Sequence, residues 1–104
     1  MSKYSLFKLW NERYGKAEEV VDYAGRRMLK SAIGNRNSAF EPTIDHIRPI
    51  SDGGKDAKEN IEICHRETNE EKADQWPHWT ANGQKFHGKK VKGTSHGYTI
   101  EKED

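Results

Sequence analysis

Asp45 and His46 stand side by side in the chain. A carboxylate can hold a hard cation and a neighbouring imidazole can take a proton from water, so the pair supplies the minimum for metal-assisted phosphodiester hydrolysis. An imidazole is the one side chain whose ordinary pKa lies near neutrality, which makes His46 the candidate general base. Two asparagines follow within DHIRPISDGGKDAKENIEICHRETNEEKAD: Asn60, fourteen residues after His46, and Asn69, nine after that. Taken singly, each of these residues has an ordinary reading, as a surface histidine, a turn-capping acid, a turn asparagine or a helix cap.

Taken together, and with Pro49, Gly53-Gly54 and Lys72, they resemble the HNH nuclease family. Its catalytic unit is a strand, a loop, a second strand and a short helix around one metal ion, the ββα-metal arrangement. The resemblance covers residues 40–74, about a third of the chain. A weaker one, to small stand-alone bacterial and phage HNH proteins, extends to DYAGRRMLKSAIGNR upstream and WPHWTANGQKF downstream. It implies a metal-dependent DNA endonuclease in which His46 activates water and Asp45 and Asn69 hold the cation. Asn60, at the foot of the second strand, would tie the loop to the first strand and keep His46 aimed. The family's usual third letter is histidine, and Asn69 stands there instead. Its oxygen, like that of Asp45, favours Mg²⁺ or Mn²⁺, with Ni²⁺, Co²⁺ or Zn²⁺ as substitutes in vitro. One site per chain implies nicking by a monomer. The alternatives are a catalytically idle ββα module that only holds nucleic acid, and a toxin-type nuclease with an immunity partner.

Charge is arranged to suit this reading. The net charge is only +1, but residues 1–40 carry eight Lys or Arg against four acids, residues 41–75 five against ten, and residues 81–104 five against three. An acidic centre between basic arms suits a cation flanked by phosphates. Arg66 and Lys72 on the helix, and Lys85, Lys89, Lys90 and Lys92 beyond it, are the candidate contacts to duplex DNA. The last four read equally as a solvated hairpin edge. Arg26, Arg27 and Lys30 are likewise either a solvated edge or phosphate contacts.

The chain length of 104 residues implies one domain: residues 1–39 an amino-terminal helix and hairpin, 40–75 the motif, and 76–104 a carboxy-terminal hairpin. With 32% hydrophobic residues the core must lean on ten aromatic side chains. The single cysteine, Cys64, excludes an internal disulfide and the paired CxxC knuckles of a structural zinc; it reads as a buried, inert thiol. The absence of a long apolar segment or leader makes a cytoplasmic protein with no membrane partner the expectation.

The elements that must position these residues give an α+β fold. Tyr4, Phe7, Trp10 and Tyr14 recur at helical spacing, with Ser2 or Ser5 as cap and Gly15 as stop. Val20-Val21 and Met28-Leu29 flank a turn-like Asp22–Gly25, read as a hairpin with a helix over residues 17–33 as the alternative. The first motif strand is expected over residues 42–47 and the second over 60–64, with the helix starting at Arg66 or Glu67. Asn82-Gly83 marks a hairpin, and Tyr98–Ile100 an added edge strand before a frayed end. Alternation would send Asp45 and His46 to opposite strand faces, so they can share a site only where the strand twists or ends.

Overall fold

A computed structural model describes residues 2–104. Helix α1, Leu6–Tyr14, begins where the Ser5 hydroxyl accepts the Lys8 amide and ends at Gly15. Its inner face buries Leu9 and Trp10. Trp10 meets Tyr14 edge-on at 5.0 Å and donates its indole N–H to the Ala17 carbonyl. The expected aromatic stripe is therefore core, except for Phe7, which stays 48% exposed.

Strands β1 (Glu19–Val21) and β2 (Arg27–Leu29) form the hairpin and not the alternative helix, with Val20 opposite Met28. The Asp22 carboxylate closes the turn, one oxygen accepting the Ala24 and Arg26 amides. Its other oxygen accepts the His65 amide at 3.0 Å and so anchors the hairpin to the motif.

The expected ββα arrangement follows: β3 (Pro42–His46) antiparallel to β4 (Ile61–His65), then α2 (Arg66–Lys72). Asp45 lies opposite Glu62, and His46 opposite Ile61. The His65 ring starts the helix, its Nδ1 accepting the Glu67 amide.

Beyond it β5 (His78–Ala81), β6 (Gln84–Lys90) and β7 (Tyr98–Lys102) form an antiparallel sheet in that order. The frayed end is corrected: β7 pairs through Lys102, and the Glu103 amide donates to the Lys85 carbonyl. Gly88 is required in β6, because a Cβ there would fall 2.0 Å from the Trp76 ring.

Two apolar clusters result. Leu9, Trp10, Met28, Ile61 and Ile63 pack beneath the ββα unit, while Ala24, Trp79, Ala81 and Phe86 join the hairpin turn to the last sheet. Cys64 is a buried free thiol whose pKa burial pushes up. Among the described residues, no helix is long and apolar enough to cross a membrane.

Candidate functional site

Strand β3 ends at His46, and both Asp45 and His46 reach the two clefts on either side of this end. One cleft runs past Ser2, Tyr4, Leu6 and Thr43, the other past Pro49, Ile50, Ser51 and Asp74.

The turn after β3 is held by the side chain of Asn60, which is wholly buried. Its amide oxygen accepts the Arg48 N–H at 2.9 Å, and its nitrogen donates to the carbonyls of Arg48 and Lys55 at 3.1 and 2.9 Å. This asparagine thus takes over the backbone pairing where β3 and β4 diverge. Gly54 completes the turn: a Cβ there would lie 1.9 Å from the Arg48 carbonyl oxygen, a separation no other residue could tolerate.

Asp45 faces α2. Its Oδ2 is buried and pairs with the Lys72 ammonium at 3.4 Å. Burial lifts this carboxyl to about 6, against the opposing pull of Lys72 and His46. Asn69 donates its amide nitrogen to the Thr43 hydroxyl and the Ile44 carbonyl, at 3.0 and 3.2 Å. That leaves the Asn69 oxygen as the group it can offer to a cation.

His46 places Nε2 2.8 Å from Asp56. Asp56 in turn accepts the Ser2 hydroxyl at 2.7 Å and the Lys3 amide at 2.8 Å. The Lys3 amide, helped by Ser2 and His46, holds the Asp56 carboxyl down to about 2.

Several basic residues are placed differently from expectation. Lys72 is fully buried, donates to the His46 carbonyl at 3.1 Å and lies 4.9 Å from the Trp79 ring centre, so it cannot reach a phosphate on the surface. Arg66 is spent within the protein: it pairs with the buried Glu41 at 2.8 Å and donates to the Arg36 and Ser38 carbonyls, bracing the loop before β3. Lys89 is 3.8 Å from Glu101, and Lys90 donates to the Thr94 carbonyl. Lys85 and Lys92 are exposed. None of these four lysines lines either cleft at Asp45 and His46.

Three supporting residues carry no distinguishing signal in the sequence. The turn signal of Asp22 says nothing of its reach to His65. The capping role of His65 requires the strand-to-helix junction to be known. Asp56 is one acid among several in the motif loop.

A carboxylate and an amide oxygen are hard donors of the kind that suit a small hard cation, with water and substrate oxygens completing its shell. They form a lean set. Among the described residues no group of three or more His, Cys, Asp or Glu side chains is placed to hold a metal.

Residues 35–75 match the family model described as HNH endonuclease. The searches of curated proteins and of solved structures found no match.

Proposed function

We propose that this protein is a metal-dependent DNA endonuclease of the HNH type, with residues 1–104 acting as one nuclease domain around the motif in residues 40–75. The observation that carries this reading is that Asp45 and His46 both line the two clefts at the end of β3, within the segment that matches the family.

Asp45, through its carboxylate, and Asn69, through its amide oxygen, would hold one divalent cation, Mg²⁺ or Mn²⁺. When bound, the cation supplies positive charge at the phosphate under attack. His46 accepts a proton from water as the water oxygen bonds to phosphorus and the bond to the 3′ oxygen breaks. The products are a 5′ phosphate and a 3′ hydroxyl, the hydroxyl taking its proton from solvent. Asn60 keeps the turn after β3 closed and thereby holds His46 in place. Lys85 and Lys92 are the members of the basic run with free ammonium groups for a DNA backbone.

The test is incubation of supercoiled plasmid with the purified protein, with and without Mg²⁺ or Mn²⁺. Nicked circles that form only with metal, and not with His46→Ala, are expected. Binding without cleavage under every metal condition would favour the idle nucleic-acid-binding module instead.

A further inference from the structure

His46 and Asp56 meet across ten residues of chain, Nε2 to Oδ1 at 2.8 Å. An ionised carboxylate only accepts hydrogen bonds, so the proton between them belongs to Nε2, and Nδ1 keeps the free lone pair. Asp56 is itself fixed from a second direction. Ser2 donates its hydroxyl to Oδ1 and Lys3 its amide to Oδ2, so three donors from two distant segments converge on one side chain.

A loop brace alone would need only the contacts to Ser2 and Lys3. The third contact goes to the ring of the proposed base, which is largely enclosed, with 14% of its side chain exposed. We infer that Asp56 is the positioning residue of His46: held by Ser2 and Lys3, it locks the imidazole in its Nε2–H tautomer, so that Nδ1 is the nitrogen that accepts the proton from water. After the transfer the ring carries protons on both nitrogens, and the Asp56 carboxylate faces the resulting positive charge. The amino-terminal segment is then part of the active site, although it lies outside the motif. The chemical part of this inference rests on the nuclease reading, whereas the tautomer does not.

The two parts are tested separately on the full chain. Nitrogen NMR of the His46 ring, recorded where the ring is neutral, is expected to show Nε2 protonated in the parent and in Asp56→Asn, whose amide oxygen can still accept. In Asp56→Ala the tautomer preference should be lost. In cleavage assays Asp56→Ala should lower kcat by roughly 10–100-fold, the usual cost of losing an orienting partner, with KM for plasmid unchanged. Asp56→Asn should recover most of that loss. A parent ring protonated on Nδ1 would overturn the inference, as would an Asp56→Ala protein that keeps both the tautomer and kcat. If Asp56→Ala fails to fold, Asp56→Asn decides: the inference falls if that variant loses the tautomer while remaining folded. If the parent cleaves nothing with either metal, the nuclease reading fails, while the ring spectrum still decides whether Asp56 sets the His46 tautomer.

Discussion

The Lys72 ammonium is sealed inside the protein 3.4 Å from Oδ2 of Asp45. A helix residue that looked from the sequence like a surface cation is instead the resident positive charge of the candidate site. It is compensated by the His46 carbonyl and the face of Trp79 as well as by the carboxylate. Lys72→Met would remove the ammonium that faces Asp45. The expected cost is roughly 3 kcal/mol at pH 7.5, in the range for breaking a buried ion pair. It should be smaller at pH 5, where Asp45 can take up a proton. Chemical denaturation at the two pH values checks this.

Asp45 also sets a pH dependence for the metal-free protein. Burial pushes its carboxyl up to about 6 in the folded protein, against an ordinary 3.8. Between those values the folded state holds a proton that the unfolded state has released, so stability should fall as pH rises from about 4 to 6 and level off above. The fall is on the order of 2–3 kcal/mol, at roughly 1.4 kcal/mol per pH unit. Asp45→Asn should flatten this profile, and unfolding curves collected across that range with a metal chelator present provide the measurement.

The turn after β3 depends on Asn60 and Gly54. Asn60→Ala would strip partners from the Arg48 amide and carbonyl and the Lys55 carbonyl. The expected loss is roughly 2–4 kcal/mol. Gly54→Ala should be at least as damaging, because its methyl group would meet backbone and not a flexible side chain. Thermal unfolding of both variants, next to the exposed control Lys92→Ala, would detect the difference.

On activity, His46→Ala should slow cleavage by roughly 10²–10⁴-fold while sparing metal affinity, as expected for loss of a general base. Asp45→Ala should lose metal binding and cleavage together. Asn69→His should shift preference toward Ni²⁺, Co²⁺ or Zn²⁺, since imidazole is a softer donor than an amide oxygen. Calorimetric metal titrations alongside single-turnover cleavage separate the three.

Neutralising Lys85, Lys89, Lys90 and Lys92 together should change DNA binding less than four free cations would. Lys89 and Lys90 already have partners within the protein, Glu101 and the Thr94 carbonyl, so at most two contacts are lost. The slope of log affinity against log salt for duplex DNA should fall by no more than about 1.8, at roughly 0.9 per contact. Filter binding across a salt series reads this directly, and an unchanged slope would remove this face from the DNA-binding surface.

What the sequence determined by itself is the part of the protein written within short stretches of chain. The Ser5 cap and Gly15 stop of α1 and the Asp22–Gly25 and Asn82-Gly83 turns all depend on dihedral preference, capping and periodicity over a few residues, while the strand–loop–strand–helix order around residues 40–75 follows from the resemblance carried by Asp45, His46, Asn60 and Asn69. Such signals survive without knowledge of what packs where. The tertiary structure alone decided which polar groups meet across long separations. Asp22 reaches the His65 amide, and Ser2 and Lys3 clamp the Asp56 that holds His46. Arg66 is consumed by Glu41, and Lys72 is drawn inside against Asp45 and Trp79. In each case the residue type permits an exposed, solvated role as readily as a buried, paired one. Only the burial of its surroundings selects between them, because a charge removed from water must find a partner and the partner lies on another element.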